Sequence, residues 1–155
     1  FHWWLLELEQ DEIVSDIDRA EERLLSDSFT GKHVYTADYR FKVLSNDLLF
    51  HDINNLKCKL NSRKEFRLVT VDDYCEVEVK PDFDNNNMTR LFQVNRKWVY
   101  DKYAVYVNLC KVPSLFKKTF TPNRYFYTNK TNKPRKINYE TRTYEEYKNI
   151  IQGIN

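Results

Sequence analysis

The sequence predicts an α+β or mixed α/β fold: a single domain over 1–155, with a central mixed sheet of about four strands. An N-terminal acidic helix, a middle helix and a C-terminal helix flank that sheet. Three observations predict it. Hydrophobic spacing is helical near the start and again over 88–103. It alternates with period two in between, most strictly where Cys75, Val77 and Val79 interleave with Glu76, Glu78 and Lys80. The 155 residues are 41% hydrophobic and 15% aromatic, which suits one packed core and excludes wholesale disorder.

The first element reads as one acidic helix within 1–30. Leu6, Ile13, Ile17, Ala20 and Leu24 follow helical spacing, with Gln10 interrupting the seam. Ser26-Asp27-Ser28 and Gly31 supply stop signals. The sheet core spans 31–110. His33–Val43 mixes β-branched and aromatic residues with polar ones, as a strand does. Leu48–Phe50 and Leu56–Leu60 read as short strands on either side of an Asn54-Asn55 turn. Glu65–Val71 and Tyr74–Lys80 read as a hairpin turning at Asp72-Asp73. Met88–Tyr103 is the middle helix, with Leu91, Val94, Trp98, Phe92 and Val99 inward. Ala104–Leu109 is a short strand and Leu115–Phe120 a short helix. Thr121–Lys136 is an irregular basic segment, and Thr141–Gly153 the last helix.

Charge is divided unevenly along the chain. Residues 1–30 hold nine acids and two bases, whereas 101–155 hold four acids and eleven bases. The small net charge of +2 therefore hides an acidic head and a basic tail. The head's acids can dock on that tail.

Composition excludes several function classes. Gly31 is the lone glycine of the first 152 residues, which argues against P-loop and dinucleotide-binding chemistry. No window approaches ~18 uninterrupted apolar residues, so no membrane partner is expected. The chain begins with Phe1, and Phe1-His2-Trp3-Trp4 lacks the basic start of a signal peptide. Cys58, Cys75 and Cys110 are odd in number and widely spaced, so reduced thiols in an intracellular compartment, cytoplasmic or nuclear, are expected. His2, His33 and His51 share no ligand spacing.

The segment Glu65–Lys80 carries the sharpest chemical expectation. Residues i and i+2 of a strand share a face, so Glu78 and Lys80 project together beside Glu76. With Glu65 across the hairpin, Glu65 and Glu78 would hold Mg²⁺ or Mn²⁺, hard cations that take oxygen ligands. Such an ion polarises a phosphoryl oxygen and acidifies water. Lys80 would orient that water or offset developing charge. The competing expectation is a solvent-facing strand with cross-strand ion pairs.

These residues resemble the PD-(D/E)XK nuclease superfamily, in an E-x12-E-x-K spacing. The resemblance implies an α-β-β-β-α-β core, catalytic Glu65, Glu78 and Lys80, and metal at Glu65 and Glu78. Gln93, with Lys97 and Tyr100, resembles helix residues that some members place beside the metal. The family's Pro-Asp stands here as Lys64-Glu65, and Asp47, Asp52, Asp72 and Asp73 compete for the first acid's role.

The basic tail points to nucleic acid. Residues 111–136 contain no acid. Lys117, Lys118, Arg124, Lys133, Arg135 and Lys136 can neutralise phosphates, and Tyr125 can stack on an unpaired base. The sequence therefore predicts a nucleic-acid-associated protein, a metal-dependent endonuclease cutting phosphodiesters. The alternatives are a non-catalytic DNA- or RNA-binding module, or a structural subunit of a viral or ribonucleoprotein assembly. Protein partners or self-association would serve the last of these.

Overall fold

The first helix is short because the chain turns hard after it. In the computed structural model, which describes residues 1–18, 35–45, 69–81 and 88–153, α1 spans His2–Gln10 and buries Trp4, Leu5 and Leu8. The sequence expectation carried this helix on through Ile13 and Ile17, with Leu6 inward. Instead Glu12 takes a left-handed φ of 56°. Its N–H donates to the Glu9 carbonyl and that of Ile13 to the Leu8 carbonyl, both within 3.1 Å. This is the reverse-turn cap that ends many helices, and Ile13 packs with Leu8 in the same core. Glycine usually marks such a cap; here a glutamate fills it, so the stop is silent in the sequence. Leu6 is left exposed.

The chain leaves that turn as strand β1, Val14–Asp18. Strand β2 is Tyr39–Val43, β3 is Tyr74–Lys80 and β4 is Val107–Lys111. They form one mixed sheet in the order β1-β2-β3-β4. The first three run antiparallel, and β3 and β4 run parallel. A parallel pair needs a crossover; helix α2, Met88–Tyr103, supplies it. The fold is α+β, and the element order begins α-β-β-β-α-β.

Two expectations, one about the sheet and one about α2, are corrected. The antiparallel neighbour of β3 is β2, with Tyr39 opposite Val77 and Phe41 opposite Cys75. It is not an arm ending at Val71. Asp72-Asp73 does form a turn, but Val43 extends the ladder there, bonding to Asp72 and Asp73 through the backbone at 2.8 and 2.9 Å. The second correction concerns α2. Phe92 and Val99 are buried as expected, whereas Leu91 and Val94 are 62% and 59% exposed. Phe92, Arg96, Val99 and Tyr103 lie on one side of a helix by their spacing. An arginine in that seam hides it from a hydrophobic count.

After β4 come α3, Val112–Lys118, a 3₁₀ turn at Asn123–Phe126 and α4, Tyr144–Gln152. The core has two parts. One gathers Trp4, Leu5 and Leu8 of α1, Phe41, Val43, Cys75 and Val77 of the sheet, Leu115, Phe116, Phe120 and Tyr147. The other gathers Tyr35, Ala37, Val107 and Leu109 with Phe92 and Val99 of α2. Alternation along β3 assigns Cys75 and Val77 to the first part. Glu76, Glu78 and Lys80 fall on the side of α2. No described helix is long and apolar enough to cross a membrane. The expected strands at Leu48–Phe50 and Leu56–Leu60, and the stop signals at 26–31, lie outside the described residues.

Candidate active site

The charged side of β3 does not face solvent. Glu76 and Glu78 are only 8% and 6% exposed. A buried carboxylate needs partners, and each has them. Arg40, its cross-strand neighbour, brings Nε to 3.5 Å from Glu76 Oε1 and lies over the Tyr74 ring at 3.8 Å. The Tyr35 hydroxyl donates to Glu78 Oε2 at 3.0 Å. The Lys80 ammonium pairs with Glu78 Oε1. Burial, then the Glu78 charge, pushes the Tyr35 phenol far above its ordinary range. Tyr35 therefore stays protonated and remains a donor.

A second carboxylate joins this group from β2. Tyr39 stands opposite Val77 at the end of the ladder, and Asp38 directly precedes it. Asp38 Oδ2 accepts the Val79 N–H at 2.7 Å, which ties it to the middle residue of Glu78-Val79-Lys80. Asp38 and Glu78 both bear on the Tyr35 phenol, as does Arg96 of α2 with the opposite sign. Arg96 donates to Gln93 Oε1 at 2.5 Å and to the Tyr106 hydroxyl at 3.2 Å. Gln93 thus reaches the site's margin as a partner of Arg96, while Lys97 is exposed.

Glu65 lies outside the described residues, as do Asp47 and Asp52. Asp72 and Asp73 precede β3, whereas Glu78 sits near its far end. At about 3.3 Å per residue the separation is roughly 16 Å, so neither can share a cation with Glu78. Asp72 pairs with Lys42 at 2.9 Å, and Asp73 holds the turn through Thr70. Asp38 was not among the acids the sequence reading singled out. Its signal is an acid immediately ahead of a strand, and the expected strand His33–Val43 absorbed it.

Among the described residues no three acidic, histidine or cysteine side chains group as metal ligands. Asp38 and Glu78 are the acids this group offers to an ion such as Mg²⁺. That ion keeps several waters and is commonly held by one or two carboxylates plus substrate phosphate.

Compared with protein-family models, curated proteins and solved structures, the chain matches none.

Two arginines of the basic tail are tethered. Arg124 lies over the Trp3 ring at 5.6 Å and donates to Asn132 at 3.2 Å. Arg135 lies over Tyr125 at 5.0 Å and donates to the Tyr127 carbonyl at 3.0 Å. Tyr125 meets Phe116 edge-on at 4.8 Å and packs against the core. It is a packing anchor before it is a stacking platform. Lys117, Lys118, Lys133 and Lys136 are exposed.

Proposed function

We propose that the chain is a divalent-metal-dependent phosphodiesterase acting on nucleic acid, and that its likeness to the PD-(D/E)XK nucleases is functional. One observation carries the reading: Asp38, directly ahead of β2, accepts the Val79 N–H and is so clamped to the backbone of the Glu-x-Lys triplet. The α-β-β-β-α-β order around it supports the same reading. Asp38 and Glu78 would hold Mg²⁺ or Mn²⁺, which supplies charge stabilisation at the phosphoryl group and acidifies water. Tyr35 orients Glu78 by its hydrogen bond. Lys80 lies next to the ligand set and offsets the charge that develops on phosphate. The exposed lysines of the tail would hold the flanking backbone. Cys75 and Cys110, both buried free thiols, suit a reducing, intracellular setting.

A plasmid-nicking assay tests this. The full chain is expected to cleave in Mg²⁺ or Mn²⁺ and not in EDTA. Asp38→Asn and Lys80→Ala should each lower the rate at least ~100-fold, the scale of a lost catalytic group. Circular dichroism must show the variants folded. Cleavage that survives Asp38→Asn overturns the assignment.

Exposure of Lys117, Lys118, Lys133 and Lys136 favours a second reading, binding without cleavage. It requires salt-sensitive affinity that falls when these lysines are neutralised and ignores Asp38→Asn.

A further inference from the structure

Leu6, which the core leaves exposed, lines a cleft of about 610 Å³ between α1, the 3₁₀ turn and the start of α4. Trp3 and Glu7 share its α1 wall, since residues three and four apart lie on one helix face. Of the acids that line it, Asp11 is paired with Lys148, and Glu145 is exposed. Glu7 accepts the Asn123 N–H and has no cation partner among the described residues. Burial pushes its carboxyl above the ordinary glutamate range. Arg124, the cation of this wall, is engaged elsewhere, over the Trp3 ring and on Asn132.

The complementary charge stands beside the cleft. A bridge between Tyr127 and Pro134 closes a tight loop. Within it the Thr128 N–H donates to the Lys133 carbonyl at 2.8 Å, and the Lys133 N–H to the Thr128 hydroxyl at 3.0 Å. Asn132 takes a left-handed φ of 50°, and its side chain accepts from Arg124. The loop is therefore fastened to the cleft's own wall and shaped in advance, which lowers the entropy lost on docking. Lys130 is exposed on this loop and has no acid partner among the described residues.

We propose that two copies of the chain pair about a two-fold axis, each placing its Lys130 loop in the other's cleft. The ammonium meets the partner copy's carboxylate at position 7, and its alkyl stem lies along the exposed leucine. A cleft and a loop of opposite charge, side by side on one surface, make a self-complementary patch, which a two-fold axis satisfies twice. The cleft's acids repel phosphate, so the occupant is a basic loop and not nucleic acid. The pairing does not rest on the proposed function.

Sedimentation of the full chain over a range of concentrations tests this. The wild type is expected to pass from monomer to dimer and to stop at twice the monomer mass. The balance should shift toward monomer in ~0.5 M salt, where exposed charges are screened. Lys130→Glu and Glu7→Lys should each weaken the dimer at least ~10-fold, because like charges then face each other at both contacts. Circular dichroism must show both variants folded. An equal mixture of the two should pair as the wild type does, since each contact again joins opposite charges. A wild type that stays monomeric at ~1 mM, a dimer that both reversals leave intact, or a mixture no better than its components overturns the proposal. So does a ladder of sizes beyond two, which marks head-to-tail contact. If Lys130→Glu lowers affinity for a DNA duplex and leaves sedimentation unchanged, the loop belongs to the nucleic-acid surface and the pairing is overturned.

Discussion

Asp11 ties the two ends of the chain. Its Oδ2 accepts from the Tyr144 hydroxyl at 2.6 Å and from the Lys148 ammonium at 2.8 Å. The Lys148 hydrogen bond, then that of Tyr144, holds the carboxyl below the usual aspartate range. A depressed carboxyl adds stability above its unfolded value, and that stability is lost as pH falls through the folded one. Asp11→Asn should therefore destabilise by about 0.5–1 kcal/mol at pH 7, the scale of an exposed pair. The gap should close below about pH 4, read by urea denaturation across pH. The acidic head and basic tail were legible as complementary from charge alone. Their meeting points, including Glu7 accepting the Asn123 N–H at 3.2 Å, were not. Glu78 and Lys80 were legible for the same local reason, a two-residue spacing on one strand. Asp38 was not, because the 39 residues between it and Glu78 carry no mark of their register.

Among the elements, α4 is the one whose ends the sequence announces. Thr143 and Glu146 form a reciprocal capping box, and Gly153 closes the helix at a left-handed φ of 67°. Thr143→Ala leaves a helix N–H without its acceptor and should cost about 1 kcal/mol. The shift in urea midpoint measures it. Strand β3 and helix α2 occupy the spans their periodicity predicts. Yet periodicity misassigns the face of α2, since Arg96 belongs to the inward seam and counts as polar. It also overextends α1, since Glu12 occupies a position glycine usually flags.

The whole molecule is joined on one side of the sheet by aromatic packing. Phe120, fully buried, stacks on Trp4 at 5.5 Å and meets Tyr144 and Tyr147 at 4.9 and 5.9 Å. It links α1 to α4 across more than 100 residues of chain. Phe120→Ala should destabilise by about 3–5 kcal/mol through lost contact and the cavity left behind. That is a large share of the roughly 5–15 kcal/mol of a domain. Leu91→Ala, on the exposed side of α2, should change stability by less than about 0.5 kcal/mol. Chemical denaturation of the two variants side by side checks the contrast.

Local pattern was sufficient for the α+β class, for β3 with its Glu-x-Lys triplet, and for the opposite charges of head and tail. Each of these depends on residues within a few positions of one another. Strand partnership was decided only in the folded chain. β2 could displace the expected hairpin arm because pairing is chosen by which apolar side fits the common core, and Phe41, Val43, Cys75 and Val77 fit one another. That choice brings Asp38 to the backbone of Val79, and it buries charges that alternation alone leaves free to face water.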